Sequence, residues 1–246
     1  MSPSGSIDSS PRSSIDPPAA QPSVKRLVVT IDGPAGAGKS TAARLLAERL
    51  GYSLLDTGAI YRAVALAARQ QNIPWDDGPR LGALALGLPI RFEFRAGINR
   101  VLVGDADLTT AIRAPEISDG ASRVSALPEV RGGLLELQRR LGAEGGVVVE
   151  GRDVGTVVFP HAGAKFFLTA TAAERARRRT AELRAAGRPA DEQAVLAEIL
   201  VRDDRDTNRA VAPLRKADDA VEVDSDSLSI EQVVDRLVTE VRRRAA

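Results

Sequence analysis

The chain has 246 residues, of which 43% are hydrophobic, 27% charged and only 3% aromatic, and its formal net charge is +1 at pH 7. This composition is typical of a globular α/β protein with one large domain or two small ones, and it excludes a global field that attracts polyanions or membranes. The lack of cysteine excludes a disulfide framework and a thiolate nucleophile, and the single histidine, His161, is predicted to lie in a loop without catalytic duty.

Residues 1–24 are rich in serine and proline and nearly repeat themselves. Because such a segment buries too little apolar surface to offset its ordering entropy, we predict a disordered tail. The segment lacks the features of a signal peptide. An organellar transit peptide is the weaker alternative, since such peptides avoid acidic residues and this segment contains Asp8 and Asp16. No apolar run approaches the roughly 20 residues of a membrane-spanning helix, so we expect a soluble, cytoplasmic protein.

A glycine-rich segment follows a β-branched run at 27–31 and precedes a helix predicted at 40–50, and it fits the pattern G-x-x-x-x-G-K-[ST]. Glycines let backbone N–H groups close round phosphates, and the helix adds its positive N-terminal end. We predict that the loop binds a nucleoside triphosphate, with Lys39 at the β/γ-phosphates and Ser40 on Mg²⁺. The alternative is an ordinary glycine-rich turn. The loop residues are Gly33, Pro34, Ala35, Gly36, Ala37, Gly38, Lys39, Ser40 and Thr41.

A short strand at 52–55 and a helix at 59–71 come next. Tyr61 and Arg62 then fall in the first turn of the helix, near the carboxyl end of the strand. Because ligands of open parallel sheets gather at these ends, we predict that both residues contact a ligand. A half-buried aromatic ring and a solvated charge are the alternative.

The βα pattern breaks between residues 74 and 125, where residues 90–95 and 101–103 alternate in polarity. Residues 96–99 are predicted to connect them as a hairpin, and 105–108 are a candidate third strand. We predict a small antiparallel inserted subdomain. The subdomain is expected to face the glycine-rich loop and so to hold a second substrate. The alternative is that it only packs against the core and binds nothing.

A helix at 128–142 is followed by a fully apolar strand at 146–150, as expected of a buried parallel strand. The next residues bring charge to the carboxyl end of that strand. Glu150 and Asp153 are candidates for positioning Mg²⁺ through water. A buried ion pair with a neighbouring arginine is the alternative.

Two basic helices follow the strand at 164–168. The first begins at a predicted capping box, Thr171 with Glu174, and the second spans 191–208. Joined by a Gly-Pro turn, they suit a lid that closes over phosphates, whereas a solvated surface and a nucleic-acid site are the alternatives. The second helix is predicted to carry a charged face made of Arg202, Arg205, Asp206 and Arg209.

The last strand, at 220–223, and the last helix, at 229–244 with a capping box at Ser229 and Gln232, complete five strands that alternate with helices. The pattern predicts an α/β fold: a doubly wound five-stranded parallel sheet with helices on both faces, a small antiparallel insertion and a helical lid.

The residues favour phosphoryl transfer, which needs in-line positioning and cancellation of charge more than a strong base. The absence of N-K-x-D disfavours GTP-switch proteins, and the absence of L-S-G-G-Q disfavours transporter-type ATPases. A small-molecule kinase is therefore the function that the residues indicate best.

Five stretches carry a family resemblance: I-D-G-P-A-G-A-G-K-S-T (31–41), L-D-T-G-A-I-Y-R (55–62), L-P-E-V-R (127–131), E-G-R-D-V-G-T-V-V-F-P (150–160) and R-D-D-R-D-T-N-R-A-V-A-P-L (202–214). With them the chain resembles the bacterial cytidylate kinases with a long inserted nucleotide-binding domain, P-loop nucleoside monophosphate kinases, from about residue 26 to the C-terminus. His161 departs from the family, which often has an acid there.

The resemblance implies Mg²⁺-dependent transfer of the ATP γ-phosphoryl group to CMP or dCMP. We expect a monomer whose partners are these small-molecule substrates, with no nucleic acid and no membrane. The resemblance also implies a kinase core of residues 25–73 and 126–246, a lid at about 171–190 and a nucleoside-monophosphate-binding subdomain at 74–125. Residues 1–24 lie outside it.

The motifs imply roles for individual residues. The loop from Gly33 to Thr41 would hold the ATP phosphates. The acceptor nucleotide would contact Thr57, Tyr61 and Arg62. The cytosine edge would be read by Ser122, Arg131 and Asp153. The ribose would contact Arg202 and Asp206, and the transferring phosphates Arg152 and Arg209. The lid would carry Arg175, Arg178 and Arg179. The residues expected to act on the reacting phosphates are Lys39, Arg152, Arg202 and Arg209.

Several alternatives stay open at this point. Asp153 has two candidate partners, cytosine N4 and the water shell of Mg²⁺. The chain as a whole fits two other hypotheses: another small-molecule kinase with a UMP, AMP or shikimate-like acceptor, and a non-catalytic nucleotide- or RNA-binding module that uses the arginine helices.

Overall fold

The computed structural model describes residues 26–95 and 98–246. The predicted tail at 1–24 and part of the predicted hairpin connection lie outside the described residues. The strands are β1 (Val28–Asp32), β2 (Ser53–Asp56), β3 (Ile90–Arg95), β4 (Ile98–Val103), β5 (Ala106–Asp107), β6 (Val147–Gly151), β7 (Ala164–Thr169) and β8 (Val221–Asp224). The helices are α1 (Lys39–Leu50), α2 (Thr57–Gln70), α3 (Gly78–Gly87), α4 (Pro115–Val124), α5 (Pro128–Gly142), α6 (Ala172–Ala185), α7 (Glu192–Asn208) and α8 (Ile230–Ala245).

The main sheet has five parallel strands in the order β2-β6-β1-β7-β8, which confirms the predicted α/β fold. Strand β1 is central, and its last residue, Asp32, lies opposite Gly151 of β6 and Phe167 of β7. The phosphate-binding loop and the segment after β6 therefore emerge side by side at the carboxyl edge. This is where an open parallel sheet forms its crevice.

Helices cover both faces of the sheet, as the apolar periodicity predicts. On one face, Leu46 of α1 and Leu237 of α8 pack with Phe166 of β7 in one buried cluster. On the other, Ile60 of α2 and Leu134 of α5 belong to a second cluster that continues into the insertion. Because a hydrophobic core packs on each face of the sheet, the ends of the strands are held in fixed positions relative to one another.

The insertion contains a three-stranded antiparallel sheet in the order β3-β4-β5, as predicted. Strand β4 begins at Ile98, which pairs with Arg95, so the predicted connection at 96–99 is too long. The backbone pairing of the two strands extends further toward the hairpin connection than their polarity pattern indicates. The insertion also contains α3 and α4, which the sequence analysis did not predict.

The predicted capping box of α6 is only half formed. Thr171 Oγ1 accepts from the Glu174 N–H at 3.3 Å, but the Thr171 N–H donates to Asp226 at 2.8 Å instead of to Glu174. The Glu174 carboxylate is held by Arg177 and Arg178. By contrast, α8 has the full box at Ser229 and Gln232, and the Gly51 stop of α1 is in the left-handed region at φ 64°.

A single π-helical turn, Val154–Val158, follows β6 and was not predicted. Within the described ranges, no helix is both long enough and apolar enough to cross a membrane.

Candidate active site

A cavity of about 1870 Å³ opens at the carboxyl edge of the sheet, between the glycine-rich loop, α4 of the insertion, α6 and α7. It brings together most of the predicted site residues, although they come from distant parts of the chain. The predicted residues that line it are Ala35, Gly36, Ala37, Gly38, Lys39, Ser40, Thr41, Thr57, Tyr61, Arg62, Ser122, Arg152, Asp153, Arg178, Arg179, Arg202, Asp206 and Arg209. Gly33, Pro34, Arg131 and Arg175 do not line it.

The glycine-rich loop has the backbone that its sequence predicts. Gly33 has φ 147°, and a Cβ there would lie 2.0 Å from the Leu168 carbonyl oxygen, so only glycine fits. Gly38 has φ 85° and leads directly into α1. The N-terminal N–H groups of α1 therefore face the cavity beside the loop, where an anion is stabilised.

Lys39 is buried at the base of the loop, and its Nζ donates to the Pro34 carbonyl at 2.7 Å. Burial lowers the pKa of Lys39 well below its usual value, and the charge of Arg152 lowers it further. Both causes are offset when an anion enters the loop. A polyphosphate bound in the loop would therefore stabilise the charged form of Lys39.

Ser40 and Glu150 form a hydrogen-bonded pair of oxygen-bearing side chains beside the loop. Ser40 Oγ donates to Glu150 Oε2 at 2.8 Å. Burial raises the pKa of Glu150 to about 7, and the nearby Asp56 raises it too. Hard oxygen donors and a carboxylate that needs positive charge suit Mg²⁺, so the donor set fits this cation. The role of Ser40 on the metal stays a prediction.

Asp153 is held by two arginines, one on each carboxylate oxygen. Arg131 donates to Oδ2, and Arg209 Nη2 donates to Oδ1 at 2.8 Å. Arg131 also donates to the Ser125 carbonyl at 3.2 Å and lies 5.7 Å from the centre of the Tyr61 ring. The alternative considered from the sequence, a buried ion pair with arginine, is therefore present. It fixes the direction in which the carboxylate faces.

Three cations, Lys39, Arg152 and Arg202, lie close enough in the cavity to affect one another's charge. Arg152 Nε donates to Asp206 at 2.8 Å, whereas Arg202 makes no ion pair with the described residues. The buried Nε of Arg202 has no hydrogen-bond partner among them, and desolvation together with Arg152 lowers the pKa of Arg202 to about 10. With Lys39 beside them, these groups form a binding place for a multiply charged anion.

Arg62 is fixed by an acid that sequence reasoning missed. Its Nη2 donates to Asp56 Oδ2 at 2.6 Å, and the other oxygen of Asp56 caps α2 by accepting from the Ala59 N–H at 2.9 Å. The sequence feature that could have identified Asp56 is its position at the end of a strand, three residues before the helical N–H that it caps.

Arg205 links the insertion to α7. It donates to Ser122 Oγ at 3.0 Å and lies 3.4 Å from an oxygen of Asp119. The predicted cytosine contact Ser122 is thus joined to the helix that carries Arg202 and Asp206.

The arginines of α6 have different environments. Arg178 donates to the carbonyl and hydroxyl of Ser225 at 2.6 and 3.0 Å, and Arg179 forms an exposed pair with Glu182. Arg175 is instead buried against Ala35 of the loop. Their common role in a lid stays a prediction. The turn at Ser225 and Asp226 after β8 also lines the cavity, and sequence reasoning missed it because the segment fits no known binding motif.

Asp32 is a further residue that sequence reasoning left without a role. Its two oxygens accept from the N–H groups of Val154 and Gly155 at 2.8 and 2.7 Å. Gly155 is required there, since a Cβ would lie 2.9 Å from Thr30 Oγ1. Asp32 thereby fixes the turn directly after Asp153.

The burial of Asp32 has a measurable consequence for stability. Burial raises the pKa of Asp32 from 3.8 to about 6. An acid whose pKa rises on folding stabilises the protein below its usual pKa and loses that contribution as pH rises through the folded value. The loss is about 3 kcal/mol in full, and about 2 kcal/mol between roughly pH 4.5 and 7.5.

We therefore expect the unfolding free energy of the wild type, measured relative to Asp32→Asn by urea denaturation, to fall by about 2 kcal/mol over that interval. In this difference, the contributions of the titratable groups that both proteins share cancel. A difference that is constant or rises with pH contradicts the prediction.

Known proteins of similar sequence belong to the family that the motifs imply. Residues 29–243 match a family model described as cytidylate kinase. A cytidylate kinase from Syntrophotalea carbinolica is 50% identical over 89% of this chain and 94% of its own length. One from Geobacter sulfurreducens is 51% identical over the same shares. A solved gluconokinase from Sinorhizobium meliloti, at 17% identity, 90% and 95% coverage and a TM-score of 0.46, is too distant to carry an argument.

Proposed function

The chain belongs to the cytidylate kinase family, and we propose that it transfers the γ-phosphoryl group of ATP to CMP or dCMP, giving CDP or dCDP and ADP. One observation carries this proposal: a carboxylate, Asp153, is fixed between two arginines at the acceptor end of a cavity whose other end is a phosphate-binding loop. The pair of Asp153 and Arg131 matches the cytosine edge, which offers an amino donor beside two acceptors.

The donor half of the site lies within the kinase core, to which we assign residues 25–73 and 126–246. The loop from Gly33 to Thr41 holds the ATP phosphates through its N–H groups, and Lys39 donates to the β- and γ-phosphates. Ser40, which is hydrogen-bonded to Glu150, would hold Mg²⁺. When bound, Mg²⁺ neutralises part of the charge on the β- and γ-phosphates.

The acceptor half combines the insertion at 74–125 with the segment after β6. Asp153 accepts from the cytosine amino group. We assign the other base contacts to Ser122, which lines the cavity, and to Arg131, which is bonded to Asp153 and must turn to reach the cavity. The remaining contacts to CMP are assigned to Thr57, Tyr61, Arg62, Arg202 and Asp206. Because Arg152 is paired with Asp206, the ribose contact and the contact to the transferring phosphate are adjacent. Arg209 supports this end through Asp153.

The chemistry needs no strong base. The attacking group is a phosphate oxygen of CMP, which is already largely ionised at neutral pH. The protein must bring two polyanions into line and cancel their charge, and Lys39, Arg152 and Arg202 supply cations where the transfer takes place. The lid, at about 171–190, contains α6 and excludes water when it closes. His161, exposed and in a turn, has no part in these steps.

The proposal is tested by following ADP release with CMP, dCMP, UMP, AMP and shikimate as acceptors. We expect CMP and dCMP to be turned over with the highest kcat/KM. Turnover of AMP or shikimate without turnover of CMP refutes the proposal. Salt-sensitive RNA binding without turnover of any acceptor supports a binding module instead.

A further inference from the structure

Arg175 does not line the cavity, and its guanidinium is bonded within the protein. Only 5% of the side chain is exposed. Its Nη1 and Nη2 donate to the two carboxylate oxygens of Asp203 at 3.0 and 2.6 Å. Nη1 also donates to the Ala35 carbonyl at 3.0 Å, and Nε donates to the Ala170 carbonyl at 3.0 Å. Four of the five N–H donors are therefore engaged.

These contacts join parts of the protein that serve different substrates in the proposed function. Ala35 lies in the phosphate-binding loop, at the donor end. Asp203 lies on α7 directly after Arg202 and three residues before Asp206, at the acceptor end. Ala170 follows β7 at the edge of the sheet. One guanidinium thus holds the loop, the sheet and the acceptor helix to each other.

The stem of Arg175 also packs against the loop. A Cβ added to Gly36, whose φ is 77°, would lie 3.3 Å from the Cβ of Arg175. The loop therefore runs directly along the first turn of α6. Its position depends on where this arginine is anchored, independently of the charge that the arginine carries.

We propose that Arg175 and Asp203 form a positioning pair that fixes the phosphate-binding loop against α7, so that the donor and acceptor phosphates stand in line. The proposal rests on the function proposed above, and it gives Arg175 a role other than a lid charge on phosphate. A planar guanidinium that bonds both oxygens of a carboxylate is suited to this role, because it fixes the orientation of the two groups as well as attracting them. Misplacement of reacting groups by about 1 Å is enough to slow a transfer strongly.

The test compares Arg175→Met, Asp203→Asn and the double variant with wild type, using whichever acceptor the acceptor panel identifies. Arg243→Met is the matched control, since Arg243 is an exposed arginine paired with a carboxylate on α8. We expect either single change to lower kcat about 10-fold, and the double variant to be no slower than the slower single variant. The Kd of a non-hydrolysable ATP analogue, measured by calorimetry, should change less than about threefold, because Arg175 does not contact the phosphates.

Three results overturn the proposal: unchanged kcat in both single variants, losses that multiply in the double variant, or a large loss of analogue affinity in Arg175→Met alone. The last result shows that Arg175 supports ATP binding without Asp203, so that the two residues do not act as a pair. If Arg175→Met does not fold, Asp203→Asn decides, since normal kcat in that variant refutes the pair. Absence of CMP turnover by the wild type refutes the proposed function instead, so the two failures are distinguishable.

Discussion

Replacing Lys39 with methionine should lower kcat for CMP phosphorylation on the order of 10²- to 10³-fold. Methionine keeps an apolar stem of similar length and removes the amino group, which lies at the base of the loop 2.7 Å from the Pro34 carbonyl. The effect is large because Lys39 is buried. A charge in a site shielded from water acts on the transferring phosphoryl group more strongly than an exposed charge does.

The measurement is steady-state ADP release at saturating ATP and CMP, with the melting temperature recorded to show that the variant folds. Lys216→Met is the control: Lys216 is exposed, pairs with Glu222 and lies outside the cavity. It should retain wild-type kcat. A Lys39→Met protein that folds and keeps kcat within about threefold of wild type contradicts the expected electrostatic role.

The glycine-rich loop was readable from the sequence because its determinants are local. Gly33, Gly38 and Lys39 lie within seven consecutive residues, and their backbone conformations follow from residue type. The same holds for α5, whose predicted and observed bounds agree. Segments whose conformation depends on neighbours close in sequence are the ones that pattern reasoning recovers.

The two helices that were missed in the insertion depend on distant partners. Helix α4 contains Gly120, which would weaken an isolated helix, yet Trp75 packs so closely there that a Cβ would lie 2.5 Å from its ring. Helix α3 packs through Leu81 and Ala85 into the core beside α5. Tertiary packing stabilises both helices. The apolar pattern within ten residues of sequence does not show that packing.

The pairs that orient the site were also beyond the sequence. Asp32 and Gly155 are 123 residues apart, and they meet because β1 lies between β6 and β7. Strand order is not encoded in the alternation of strands and helices. The motifs therefore indicated which residues belong to the site, whereas the partners of Asp153 and Arg175 became visible only in the fold.

Replacing Asp153 with asparagine should change which base the enzyme accepts. We expect kcat/KM for CMP to fall on the order of 10³-fold, because two arginines lose their buried counter-charge and the cytosine amino group loses its acceptor. The ratio of kcat/KM for CMP to that for UMP should fall on the order of 10- to 100-fold, since the amide can donate to the uracil carbonyl at the position of the amino group.

Both acceptors are measured with the same protein preparation, so a loss of folded enzyme cancels in the ratio. Asp235→Asn, a change at an exposed aspartate paired with Arg49, is the matched control and should leave both values unchanged. The two roles considered for Asp153 give different results. If it served the water shell of Mg²⁺, Asp153→Asn would slow CMP and UMP equally and raise the Mg²⁺ concentration needed for half-maximal rate. An unchanged CMP/UMP ratio therefore contradicts base reading, and a fall in that ratio at an unchanged Mg²⁺ requirement assigns Asp153 to the cytosine edge.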